Sequence, residues 1–242
     1  MAAVLAGAAY LDNAVLGHDS IPRALGLRHL PGVSTGGGIA GVGSKASDYA
    51  FAATKKNGEP VAFSSCDPIH IVVNGKHAVP DADRMLREAL DRVSEASGLT
   101  FVVDGPSQEL PDSVRAATNT STMTWTNRPA LVAWLSPQED EGLGRDAIGL
   151  GGPIETGYYI DANRHYVTGT VSLDGPALQA IMLRPNGWAQ ARAVVMHEVG
   201  HMVGLGHVDS TAEVMAPKGS HITEFGAGDR EGLRLLGDGP CF

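Results

Sequence analysis

The sequence is poor in cysteine, in aromatic residues and in basic charge. Two of its 242 residues are cysteine and 5% are aromatic, so it is not a disulfide-dense scaffold and its core depends on aliphatic side chains. Lysine and arginine number 18 against 27 aspartate and glutamate residues, which gives a net charge of −9. Because a nucleic-acid-binding face needs an excess of basic residues, this balance argues against nucleic acid as a partner. No apolar run approaches the roughly 20 residues that span a bilayer, so we expect no transmembrane segment.

The first 60 residues differ in character from the rest. Residues 1–10 are apolar, but no basic residue precedes Arg23, so the basic region that begins an export signal is missing. The run is either a truncated or atypical export signal or an N-terminal helix. Residues 32–44 contain six glycines and predict a flexible linker. We therefore place a boundary near residue 60 and expect one domain over residues 61–242.

The patterns after residue 60 predict an α+β fold that is close to α/β. Short runs of β-branched and aliphatic residues predict strands, and apolar residues three or four positions apart predict helices. Asp81 is a candidate N-cap for the first helix, and Gly98 is a candidate for its end. The first strand, this helix and the second strand predict a parallel βαβ unit. The predicted strands are 69–74, 99–104, 130–135, 147–151 and 166–173, and the predicted helices are 82–97, 188–203 and 229–236.

A stretch of eleven residues, HEVGHMVGLGH, begins at His197. His197 and His201 are four positions apart on a predicted helix, so their imidazoles lie on one face, one turn apart. Two neutral imidazoles in this arrangement can bind one zinc ion. Gly204 allows the helix to end and the chain to reverse, so that His207 can reach the same ion. Glu198 can lie beside the metal without binding it and accept a proton from water, and three protein ligands leave one position open, as in a catalytic site.

This stretch, followed by Met215 in the sequence VMAP, resembles the metzincin clan of zinc endopeptidases, and most closely small bacterial matrixin-like proteins. The resemblance covers residues 66–242. It implies a twisted mixed sheet, an active-site helix that carries the HExxH residues, and a small C-terminal subdomain. It also implies one catalytic zinc ion, a polypeptide substrate in a cleft, and Met215 as a hydrophobic floor beneath the ligands. The edge strand that pairs with an extended substrate would contain Ala147, Ile148, Gly149 and Leu150.

The sequence departs from its relatives after the turn methionine and in its cysteines. Ala216 and Pro217 stand where related peptidases carry tyrosine, so no tyrosine is available there as a further ligand. Cys66, in the sequence SSCDP, does not match the cysteine of a latency propeptide. His221 could contact substrate or transition state, although an ordinary loop histidine is the simpler interpretation. Calcium is possible but not indicated, because a solvated loop is the favoured interpretation of the acidic residues that could bind it, which are Glu139, Asp140, Glu141 and Asp146.

The two cysteines lie near the ends of the predicted domain. Their spacing alone does not decide between one disulfide in an exported protein and two separate thiols in a cytosolic one. The resemblance to small bacterial matrixin-like proteins, which have a cysteine at each of these places, implies a bridge between Cys66 and Cys241. Together with the peptidase interpretation, it predicts a disulfide and a secreted or cell-envelope location.

We therefore expect a monomeric zinc endopeptidase in which Glu198 is the general base for metal-activated water. One alternative is a zinc-binding protein without turnover. Another is a zinc amidase that acts on a small or cell-wall peptide. A third is a latent enzyme in which residues 1–60 lie across the cleft.

Overall fold

The computed structural model describes residues 48–111, 128–144, 147–156, 160–217 and 221–241. The strands are β1 (Ala50–Phe51), β2 (Ile69–Asn74), β3 (Phe101–Pro106), β4 (Ala130–Leu135), β5 (Gly149–Thr156), β6 (His165–Asp174) and β7 (Leu205–Gly206). The α-helices are α1 (Ala82–Ser97), α2 (Gly175–Met182), α3 (Gly187–Val203) and α4 (Ala227–Gly237). No helix in these ranges is both long enough and apolar enough to cross a bilayer.

The centre of the molecule is a five-stranded mixed sheet in the order β3-β2-β4-β6-β5. β3, β2, β4 and β6 are parallel, and β5 lies antiparallel to β6 at one edge. This arrangement confirms the predicted α+β class and the predicted βαβ unit of β2, α1 and β3. β4 is buried along its whole length, as expected for a strand inside a parallel sheet.

Helix α1 forms because its apolar residues recur on one face. That face is buried through Met85, Leu86, Ala89, Leu90 and Val93 and packs against α3 and α4. Asp81 occupies the predicted N-cap position, but it does not cap the helix through its side chain. The backbone of Asp81 is left-handed, with φ 58°, and its side chain makes no capping hydrogen bond. The first turn instead begins with the amides of Arg84 and Met85, which donate to the Asp81 carbonyl at 3.0 Å.

Helix α3 is nearly enclosed by the rest of the molecule. It packs against α1, α2, β5 and β6, and every residue from Ala191 to Val203 is buried. The helix ends at Gly204, whose φ of 119° few other residues tolerate. α2 was not predicted from the sequence. It follows β6 directly, and the Asp174 side chain caps it by accepting from the Ala177 amide at 3.0 Å.

The predicted edge strand is present but is displaced along the sequence. β5 begins at Gly149, so Gly149 and Leu150 belong to it, whereas Ala147 and Ile148 precede it. Ala147 instead forms an isolated antiparallel bridge with Gly144, whose φ of 114° is left-handed and not extended.

The described chain begins before the predicted domain boundary. β1 pairs antiparallel with β7, so residues 48–60 already contact the body of the molecule. The boundary near residue 60 stays a prediction. The predicted export signal and glycine-rich linker lie outside the described residues. Cys66 and Cys241 form a disulfide with their Cα atoms 5.3 Å apart, which confirms the predicted bridge.

Candidate metal centre

Three imidazoles converge where α3 ends and the chain turns back. The Nε2 atoms of His197 and His201 are 2.9 Å apart. Nε2 of His207 lies 3.2 Å from that of His197 and 3.0 Å from that of His201. Ligand nitrogens of a tetrahedral zinc site are separated by about 3.3 Å when each Zn–N bond is about 2.0–2.1 Å. The trio therefore fits one metal ion at its centre. Among the described residues, it is the only group of histidine, cysteine and carboxylate side chains placed to hold a metal.

Hydrogen bonds to the backbone determine which ring nitrogens face one another. Nδ1 of His197 lies 2.7 Å from the Val214 carbonyl oxygen, and Nδ1 of His201 lies 2.8 Å from the Leu205 carbonyl oxygen. Because a carbonyl oxygen only accepts, both Nδ1 atoms carry the proton and both Nε2 atoms present lone pairs. Lone pairs at this separation repel one another unless a cation lies between them. The donor set therefore suits a metal ion.

Burial keeps these imidazoles neutral. It lowers the pKa of His197 well below the usual value and lowers the pKa of His201 to about 3, and the neighbouring imidazoles add to both shifts. A neutral imidazole is the form that binds a metal. The electrostatics of the pocket therefore favour the ligand form of both side chains near neutral pH.

Glu198 is buried beside β5. It is 2% exposed, and burial raises the pKa of its carboxyl group to about 8. A cation at the histidine trio opposes this shift because it favours the charged carboxylate. The side chain occupies the space next to Gly149, where an added Cβ would lie 2.5 Å from Cγ and 2.7 Å from Oε1 of Glu198. A Cβ added at Gly151 would lie 2.2 Å from the backbone carbonyl oxygen of Glu198, so these two glycines let β5 pack directly on α3.

Met215 lies against the helix that carries the histidines. It is 1% exposed, and its Sδ would be 2.8 Å from a Cβ placed on Gly200, the residue before His201. The Val214 carbonyl, one residue earlier, accepts from His197. The turn that contains Met215 therefore contacts α3 beside the histidine trio, where the sequence places the hydrophobic floor.

Two buried carboxylates join this turn to α4, and the sequence did not predict their role. Asp229 accepts from the amides of Val214 (2.6 Å), Met215 (3.3 Å) and Gly226 (3.1 Å). Glu213 accepts in return from the amides of Gly228 (3.1 Å) and Asp229 (2.8 Å). Of these three contacts of Asp229, only the one with Gly226 lies at the start of α4, and the other two reach the turn that contains Met215. The available signal was a pair of acidic residues, one beside the turn methionine and one in the first turn of α4.

The other candidate residues lie apart from the histidine trio. Glu139 pairs with Lys76 and His77, and its hydrogen bond to Lys76 contributes most to lowering its pKa to about 2. Asp140 accepts from the Gly142 amide, and Asp146 lies outside the described residues. His221 is exposed, and Ala216 is buried after the turn methionine.

Comparison with known proteins places these features in a family. The sequence profile of the matrixin peptidases matches residues 71–234. No curated protein matches the chain significantly. Among solved structures, the crystal structure of archaemetzincin from Methanopyrus kandleri is similar at 20% identity and a TM-score of 0.41, over 69% of this chain and 94% of that one. A zinc-dependent peptidase from Methanocorpusculum labreanum is similar at 14% identity and a TM-score of 0.36, over 68% and 98%.

The matched region contains the histidine trio, Glu198 and Met215, and it covers more than half of the sequence. Because the profile match and the geometry coincide on these residues, the chain belongs to the matrixin family of zinc metallopeptidases.

Proposed function

We propose that the chain is an endopeptidase in which His197, His201 and His207 hold one zinc ion and Glu198 is the general base. The observation that carries the proposal is the convergence of three Nε2 atoms within 3.2 Å, with the buried Glu198 directly after His197 on the same helix. Zinc held by these three residues would polarise a peptide carbonyl and lower the pKa of a bound water molecule to about 7. The protein's part is to present three neutral nitrogens and to place a proton acceptor next to them.

Glu198 would accept the proton of the attacking water and pass it to the leaving amine. Its burial supports this role, because Glu198 is 2% exposed and a carboxylate shielded from bulk water accepts a proton more readily than a fully solvated one. The backbone of α3 fixes Glu198 next to His197, and β5 closes the space on its other side. The carboxylate is therefore held in position before substrate arrives.

A polypeptide would bind along β5. Among the described residues, this strand has a neighbouring strand on one side only, β6. Its other edge offers backbone groups to an extended peptide, and backbone pairing of this kind accepts many side chains. Ala147 and Ile148 precede the strand, so we assign the pairing to residues from Gly149 onwards.

The disulfide supports a secreted or cell-envelope location. Structural disulfides persist in oxidising compartments and are rare in the cytosol. Both thiols of the chain are used in the bridge. We propose that the folded protein works outside the cytoplasm.

The test is cleavage of a mixed peptide library by the wild-type chain, Glu198→Ala and His207→Ala, each with added zinc. We expect internal cuts by the wild type and a loss of about 10²–10⁴-fold in Glu198→Ala, because that variant lacks the base. Glu198→Ala should retain zinc, whereas His207→Ala should lose it to a chelator. Hydrolysis by Glu198→Ala at the wild-type rate would contradict the mechanism, and cuts confined to a cell-wall peptide would favour the amidase alternative.

A further inference from the structure

Residues 48–52, here called the N-terminal strap, lie beside the loop that supplies the third histidine. Ala50 is paired with Gly206 and Phe51 with Leu205, in the antiparallel ladder of β1 and β7. The Ala52 amide donates to the Gly204 carbonyl at 2.8 Å. The strap therefore follows the chain from the end of α3 to the residue before His207.

β7 positions two of the three ligands. Its Leu205 carbonyl accepts from Nδ1 of His201 at 2.8 Å, and His207 follows Gly206 directly. Within the described ranges, β1 is the only strand that pairs with β7. A two-residue strand has little rigidity of its own, so its pairing with the strap adds to its packing against α3 and α4 in holding these carbonyl and imidazole groups.

The strap also fits closely against α4. A Cβ added at Gly228 would lie 2.0 Å from the Asp48 carbonyl oxygen, and one added at Gly232 would lie 3.0 Å from Cβ of Tyr49. No side chain larger than hydrogen fits at Gly228 without displacing the strap. α4 therefore packs directly against the strap, and it also contacts β7.

We propose that the N-terminal strap is a positioning element of the metal centre, which holds β7 so that His201 and His207 meet the metal ion with their Nε2 atoms. The inference rests on the proposed zinc ligands and extends them to a segment before the predicted domain boundary. Groups that orient metal ligands without touching the metal typically contribute about 10–100-fold to metal affinity. We expect a contribution of that size from the strap.

The first test compares Ala52→Pro with Ala52→Thr in the full-length chain. Proline removes the N–H that donates to the Gly204 carbonyl, whereas threonine keeps it. Position 52 is exposed, so both larger side chains can extend into solvent. We expect about 10-fold or greater weakening of zinc binding in Ala52→Pro, measured by competition with a chromogenic chelator, and wild-type affinity in Ala52→Thr. Cobalt substitution adds a spectroscopic readout. The visible absorption of bound Co²⁺ should change in Ala52→Pro only, because ligand geometry, and not overall folding, determines it.

The second test reaches the strap from α4. Gly228→Ala places a methyl group against Asp48, whereas Gly75→Ala, the matched control, meets nothing closer than 3.8 Å. Gly228→Ala should weaken zinc binding in the same way as Ala52→Pro, and it decides the question if the proline variant does not fold. Wild-type zinc affinity and wild-type cobalt spectra in both Ala52→Pro and Gly228→Ala would overturn this inference and leave the proposed function standing. A wild-type chain that binds no zinc at its histidine trio would overturn the proposed function and this inference with it.

Discussion

Gly149 determines where the Glu198 carboxylate can lie, because it has no side chain to occupy that space. Glu198 fills the space where any other residue would have a Cβ, with its Cγ 2.5 Å from that point. The atoms in conflict belong to the Glu198 side chain and not to the backbone. A methyl group at position 149 would therefore move the carboxylate and leave the packing of β5 on α3 largely intact.

We predict that Gly149→Ala lowers kcat by about 10²-fold, because a displacement of about 1 Å at a reacting group has an effect of this size. Zinc content should stay at the wild-type level, and KM should change little, since the strand edge is unaltered. Steady-state kinetics with a peptide substrate and metal analysis of the same samples test both statements. Gly75→Ala should match the wild type, and an unchanged kcat in Gly149→Ala would mean that the carboxylate position is not critical.

His197, Glu198 and His201 could be predicted from the sequence because residues at these spacings on a helix have known positions relative to one another. Gly204 could be assigned for the same reason, since a helix that must end and reverse needs a residue that tolerates positive φ. Gly149 gave no such signal. Its importance arises because β5 and α3, which are distant in sequence, pack closely together. No pattern of residues around Gly149 indicates that contact.

At the scale of elements, the methionine turn is held from both sides. On one side the Val214 carbonyl accepts from His197, and on the other side the Val214 amide donates to Asp229 on α4. Burial raises the pKa of Asp229 to about 6, and the nearby Glu213 contributes to the shift. The backbone amides that donate to the carboxylate oppose the shift but do not cancel it.

We predict that Asp229→Asn lowers the free energy of unfolding by about 1–3 kcal/mol, because an amide group cannot accept from all three backbone donors. The difference between wild type and variant should also depend on pH. Since the native pKa is raised above the unfolded value, the native state binds more protons between pH 4 and 6. The Asp229 contribution to stability therefore falls as pH rises through that window.

Urea unfolding at several pH values measures this difference. Asp91→Asn, at an exposed position on α1, is the control and should show no such dependence. A wild-type advantage that grows with rising pH would contradict the raised pKa.

Three elements were not predicted from the sequence, two because they are very short and one because no loop separates it from the strand before it. β1 and β7 contain two residues each, which is too few for any alternating pattern to appear. α2 did carry a signal, with Asp174 as cap and a proline in the first turn, but it follows β6 without a loop. In contrast, α1 and β4 have the predicted bounds, since each has a complete pattern between clear terminators.

At the scale of the whole molecule, the disulfide joins residues separated by 175 positions in the sequence. Closing so long a loop restricts the unfolded chain and, in the entropy model, stabilises the folded state by at most about 5 kcal/mol. The bridge connects the segment before β2 to the chain just after α4. It therefore encloses the whole sheet and the histidine trio in one covalent loop.

We predict that replacing both cysteines by serine lowers the free energy of unfolding by several kcal/mol, up to that limit. Urea titration of the double variant and of the unreduced wild type gives the comparison. The variant should retain zinc under native conditions, because neither cysteine lies in the metal centre. Identical unfolding midpoints would show that the bridge does not restrict the unfolded chain as the model requires.

The same bridge alters what a single backbone cut can do. A peptidase is exposed to its own activity and to that of its neighbours, and a cut can fall in a surface loop between Cys66 and Cys241. Because those residues lie within a closed covalent loop, one cut there opens the loop but releases no fragment. A nicked molecule would stay in one piece until a reductant separated its halves.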